Sequence, residues 1–101
     1  MEVIINKDNF KEEVLDYKGT VIVDFFGTWC MPCKMLKPIV EKVANEHNCK
    51  LATIDVDDNE DLAKEFGIMS IPHLKIFKDG QEINSSVGLI SENKLIELLN
   101  L

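Results

Sequence analysis

The chain has 101 residues, of which 46% are apolar, and a formal net charge of −7 at pH 7. That length fits one domain over residues 1–101, with apolar residues enough for a core that needs neither metal nor several disulfides. The acidity excludes nucleic acid and anionic membrane surfaces as partners, because a negative surface repels phosphate, and its plain reading is solubility.

The first fifteen residues carry Glu2, Lys7, Asp8, Lys11, Glu12 and Glu13, so they hold no apolar signal-peptide core. No apolar stretch approaches the ~20 residues that span a bilayer. The expected compartment is therefore the cytoplasm, where thiols are kept reduced. Three cysteines are an odd count, which argues against a disulfide framework.

Val3 to Ile5 is a short apolar run and reads as an edge strand. Asp8 or Asn9 is positioned to cap a helix whose apolar positions are Phe10, Val14 and Leu15, ended by Gly19. Thr20 to Phe26 is β-branched and aromatic, the pattern of a central strand buried on both faces. A long helical pattern follows from Cys30 to Glu46, with Leu36, Ile39, Val40 and Val43 on one side. Leu51 to Val56 is another buried-type strand. Asn59 precedes a short helix with Leu62, Ala63 and Phe66 inward, and Gly67 stops it. His73 to Phe77 and Gln81 to Val87 flank Lys78-Asp79-Gly80-Gln81, and Asp-Gly suits a type I′ hairpin. Ser91 caps a last helix bearing Leu95, Ile96, Leu98 and Leu99. The order β-α-β-α-β-α-β-β-α predicts an α/β fold: a parallel core, antiparallel strands from the hairpin, and helices on both faces.

Cys30 and Cys33 lie where a strand ends and a helix begins, and sites in open α/β sheets gather at the carboxyl ends of strands. Metal ligands, a staple and a redox couple all use this spacing. A thiol in the first helical turn faces unpaired N–H groups and the positive end of the helix dipole, which lowers its pKa from the free value of ~8.5. Lys34 and Lys37 either add positive potential or are solvated helix charges. Pro32 fits the first turn, where its missing N–H costs nothing. Cys30 is therefore the expected nucleophile. Cys33, one turn on, is expected to be the more buried sulfur and to resolve the mixed disulfide. Asp24, six residues before Cys30 in an apolar run, has a raised pKa if buried and is then placed to take the Cys33 proton. The alternative is an Asp24 that faces solvent from an edge strand.

A Cys₃His metal set from Cys30, Cys33, His47 and Cys49 competes with this reading. Sixteen helical residues from Cys33 to Cys49 span about 24 Å, too far for shared ligation. Cys49 is more simply a small buried residue or a surface thiol. No metal and no cofactor are expected. A third reading is a binding or assembly role that does not need the cysteines.

The stretches "VDFFGTWCMPCK", "IDVDDNEDLAKEFGIMSIPHLKIFKDGQ" and "VGLISENKLIELL" resemble the thioredoxin family over essentially the whole chain. The combination of Asp24, Trp29-Cys30, Pro32-Cys33, Pro38, Ile71-Pro72, Gly80 and Gly88 carries that likeness. The resemblance implies a thioredoxin fold, with a central mixed sheet of about five strands and about four helices. It implies a protein dithiol–disulfide oxidoreductase, a monomer, that reduces disulfides of protein substrates through Cys30 and Cys33 and is recharged by a flavoprotein thioredoxin reductase. It makes Pro72 the cis-proline and places Trp29, Met31, Pro32, Ile71, His73 and Gly88 along the substrate groove. Pro38 kinks the long helix. Four positions depart from the family pattern. Met31 replaces a glycine and adds an oxidisable apolar side chain. Phe26 replaces a tryptophan. Thr53 replaces a lysine that pairs with the buried aspartate, which raises the pKa of Asp24 further. His73 replaces a threonine and is either a titrating group beside the sulfurs or a surface strand residue.

Overall fold

The structure, a computed structural model, describes residues 1–101. β1 (Glu2–Ile4), β2 (Thr20–Phe26), β3 (Lys50–Asp55), β4 (His73–Lys78) and β5 (Gln81–Val87) form one sheet in the order β1-β3-β2-β4-β5. β3 runs parallel to β1 and β2, whereas β4 is antiparallel to β2 and β5 to β4. The helices are α1 (Met31–Glu46), α2 (Glu60–Glu65) and α3 (Glu92–Leu99), with a π-helical turn at Lys11–Leu15. The element order is the expected one. No helix is long and apolar enough to cross a membrane.

Central β2 explains the architecture. Val21 to Phe25 are all buried, and side chains alternate across a strand. Ile22 joins Leu36, Val40 and Val43 of α1 and Leu95 and Leu99 of α3 on one face. Val21, Val23 and Phe25 join Phe10, Val14 and Leu62 on the other. Each fully buried residue of this kind contributes roughly 1.5–3 kcal/mol, so the two apolar layers hold the helices to the sheet.

The first helix departs from expectation. The Asn6 side-chain oxygen, not Asp8 or Asn9, accepts from the N–H groups of Asp8 at 2.8 Å and Asn9 at 3.2 Å. The Asn9 side-chain oxygen accepts from the Asn6 N–H at 2.8 Å, and a π-helical turn follows, closed by the Asp16 N–H on the Lys11 carbonyl. Phe10 and Val14 are buried, but the wider turn carries Leu15 off the apolar stripe, and it is 40% exposed. The expected four helices are therefore three α-helices and this turn. Asn59 also differs: its side-chain amide donates back to the Asp55 carbonyl at 2.9 Å and does not cap α2. Ser91 does cap α3, accepting from the Lys94 N–H at 3.1 Å.

The hairpin has φ +50° at Asp79 and +84° at Gly80, both positive as a type I′ turn demands. A Cβ on Gly80 would run into the Leu15 carbonyl oxygen, so the hairpin tip packs against the π-helical turn. The Gly19 N–H reinforces that junction by donating to the Asp79 carboxylate at 2.8 Å. β1 is a three-residue edge. The other edge, β5, carries a bulge: Ile76 pairs with Asn84 and Phe77 with Glu82, which leaves Ile83 as the extra residue.

Candidate active site

β2 ends at Phe26, and Gly27 to Trp29 lead into α1. Cys30 is the N-cap residue of that helix, with extended backbone, and its Sγ accepts the Cys33 N–H at 3.2 Å. That N–H is one of the first-turn donors without a helical partner, so the sulfur does the work of a capping oxygen. Pro32 sits in the same turn, where no N–H is needed. Cys30 and Cys33 are joined as a disulfide with their Cα atoms 5.3 Å apart. Cys33 is not the more buried of the two: the residues are 4% and 5% exposed. Their difference lies in surroundings. Cys30 holds the cap position, whereas Cys33 faces into a cleft beneath the helix.

That cleft, about 310 Å³, is lined by Asp24, Phe26, Cys33, Lys37 and Thr53 among others. Asp24 lies on the central strand, not at an edge, and is 4% exposed with its Oδ1 unpartnered. Burial pushes its pKa from 3.8 to about 7; the Lys37 ammonium opposes that rise, and the Glu2 carboxylate adds to it. Thr53 is directly opposite Asp24 on β3 and supplies no charge. Lys37 is therefore more than a solvated helix charge. Its place one turn beyond Cys33, at i+4, was the available signal.

The Ile71–Pro72 peptide is cis, immediately before β4. Pro72 is buried, and its carbonyl accepts the Gly88 N–H at 2.8 Å, which ties the loop after β5 to the proline. Gly88 has φ +93°, a conformation that favours glycine. Trp29 is 68% exposed and donates its indole N–H to Asp57 Oδ2 at 2.7 Å. Trp29, Val56, Ile68, Met69 and Ile71 border a shallow hollow of about 390 Å³. Exposed Met31, Val87 and Leu89 add to the apolar surface. Two residues of this region escaped the sequence reading. Asp57 orients Trp29; parallel pairing of β2 with β3 places the loops after both strands side by side. Gly27 is buried, and a Cβ there would come within 2.9 Å of Ile71 Cδ1 and 3.1 Å of the Trp29 ring. Only a glycine lets those two side chains close over the turn.

His73 stands on the face of the sheet opposite Asp24. It is level with Phe25, whose ring meets the imidazole edge-on at 6.4 Å. Half-buried, it is not a surface strand residue: burial and then the Lys75 ammonium hold its pKa below the ordinary value, against the Glu82 carboxylate. Its neutral form is favoured. His47 and buried Cys49 lie at and beyond the far end of α1, so they cannot share an ion with Cys30 and Cys33.

Two sulfurs set at a helix start, linked to each other and next to a buried acid, exchange between dithiol and disulfide. The protein is a thiol–disulfide oxidoreductase. Similarity to known proteins narrows that class. The thioredoxin family profile matches residues 1–100. The chain is 42% identical to a thioredoxin of Chlamydia muridarum over 101 residues, 99% of this chain and 97% of that one. It is 40% identical to thioredoxin 1 of Synechococcus elongatus over 93 residues, 90% and 87% of the two chains. A solved mutant thioredoxin from Halobacterium salinarum superposes with a TM-score of 0.90 at 34% identity, covering 98% of this chain and 88% of that one. The chain belongs to the thioredoxin family.

Proposed function

We propose that the protein is a reductant of protein disulfides in the cytoplasm, working as a monomer and as one domain over residues 1–101, and recharged by a flavoprotein thioredoxin reductase. The observation that carries this reading is the Cys30 sulfur at the N-cap of α1, accepting the Cys33 N–H. An acceptor position at the positive helix end favours thiolate over thiol, by about 1.4 kcal/mol for each unit by which the pKa falls.

The Cys30 thiolate attacks one sulfur of a substrate disulfide, forms a mixed disulfide and releases the first substrate sulfur as a thiolate. Asp24, as carboxylate, takes the proton from Cys33. The Cys33 thiolate then attacks Cys30 Sγ, which frees the second substrate thiolate and leaves the Cys30–Cys33 disulfide. Trp29, Met31, Pro32, Ile71 and Gly88 receive the substrate chain along the backbone of cis-Pro72, and His73 does so through its backbone, since its ring nitrogens are buried. The exposed apolar surface of Trp29 and Met31 suits an uncharged stretch of polypeptide.

Insulin reduction tests the activity. The reduced protein precipitates the insulin B chain, Cys30→Ser abolishes the reaction, and Cys33→Ser accumulates a mixed disulfide. Turnover by Cys33→Ser at the parent rate contradicts the assignment of roles. A redox titration of the Cys30–Cys33 pair against dithiothreitol fixes the direction of electron flow; a potential as oxidising as that of a disulfide donor contradicts the reductant reading.

A further inference from the structure

The sheet surrounds Asp24 with uncharged neighbours. Thr53 stands opposite it on β3 and Leu74 opposite it on β4. Charge reaches the carboxyl from two elements only. β1 brings Glu2, which is repulsive. α1 covers the cleft with Cys33, Lys34 and Lys37; Glu41, one turn further on, has its own pKa raised by burial and by Glu2 and opposed by Lys37. Cys33 and Lys37 are four residues apart, so they share a helix face and sit about 6 Å apart along the axis. Lys37 lines the cleft yet is exposed, a combination open to a long amphipathic side chain.

We propose that Lys37 is a positioning residue of the reaction, supplying from α1 the cation that strand position 53 lacks and so keeping Asp24 able to receive the Cys33 proton. The inference rests on the proposed transfer of that proton to Asp24. The ammonium stabilises the carboxylate, the form with a free acceptor site. Without it the buried acid holds its own proton to higher pH, and Cys33 stays a thiol.

Two readouts test this, the first on the reduced protein and the second on a mixed disulfide of Cys30. One is the titration of the Asp24 carboxyl carbon by NMR after isotope labelling. The other is the pH profile of resolution, followed as release of thionitrobenzoate from its mixed disulfide with Cys30. Lys37→Met moves the carboxyl titration upward by about half a pH unit or more, and the resolution profile moves with it. Lys37→Arg keeps both at the parent position. An unchanged titration and profile in Lys37→Met overturns the inference. So does an equal shift from Lys34→Met, which makes the effect one of general helix charge. Asp24→Asn separates the two levels of the argument. If it alters the resolution profile while Lys37→Met does not, the role of Asp24 stands and that of Lys37 falls. If it leaves the profile as it was, both fall.

Discussion

Replacing Asp24 with asparagine keeps the shape of the side chain and removes its ionisation. The folded carboxyl has a pKa of about 7 against an ordinary 3.8, chiefly because burial penalises the charged form. That gap is roughly three pKa units, and at about 1.4 kcal/mol per unit an ionised Asp24 costs the fold about 4 kcal/mol. The sign follows from where the proton is held more tightly. The folded pKa is raised, so the stability associated with the proton is complete below pH 3.8 and lost as pH rises to about 7. Parent and Asp24→Asn therefore have similar stability near pH 4. They diverge by up to ~1.4 kcal/mol per pH unit, and above pH 7 the variant is about 4 kcal/mol more stable. Urea unfolding of the oxidised proteins at pH 4, 5.5, 7 and 8.5, followed by circular dichroism, measures the difference directly. A difference that does not change across that range refutes the reasoning, because Asp24 would then titrate alike in the folded and unfolded chains.

Three further outcomes follow from the rest of the molecule. The Lys50 side chain is 5% exposed, with its ammonium 2.7 Å from Glu13 Oε1 and over the Tyr17 ring at 4.0 Å. Glu13→Ala leaves that buried cation short of its carboxylate and costs about 1–3 kcal/mol, whereas Lys50→Met removes the charge itself and costs less; the reverse order in urea unfolding contradicts this. Gly80→Ala forces a side chain into φ +84° and against the Leu15 carbonyl, a loss of at least about 1–2 kcal/mol that lowers the thermal midpoint. A midpoint equal to the parent's refutes the packing described for the hairpin tip. Burial pushes the Cys49 thiol above its ordinary pKa, so at pH 8 the reduced protein alkylates fastest at Cys30 and slowest at Cys49. Three equal rates in a mass-spectrometric time course are the adverse result.

The central strand was legible because burial on both faces leaves an unbroken apolar run, and Thr20–Phe26 falls where that pattern places it. Gln81–Val87, an exposed and mostly polar edge, was legible from Asp79-Gly80, which marks its own turn. The π-helical turn was not legible, since Phe10, Val14 and Leu15 fit an α-helical stripe equally well and Asn6 competes with Asn9 for the cap. Asp24 announced itself as an expensive carboxyl in an apolar run. Lys37 did not, because exposed helix lysines are ordinary and only its spacing from Cys33 set it apart. The equal burial of Cys30 and Cys33, the packing at Gly27 and the Trp29–Asp57 bond depend on how separate loops meet. Asp57 is 28 residues from its indole partner, and no local pattern encodes such a meeting. The inward place of His73 follows from strand register, in which one residue decides the face.

Open sheets are vulnerable at their borders, where unpaired peptide groups recruit any passing extended chain. Here one border is three residues long and the other is kinked at Ile83 and rich in Glu82, Asn84, Ser85 and Ser86. Neither offers a flat template. Two copies of this chain therefore have no straight pair of borders along which to zip into a longer sheet, and the molecule is shielded from edge-to-edge association.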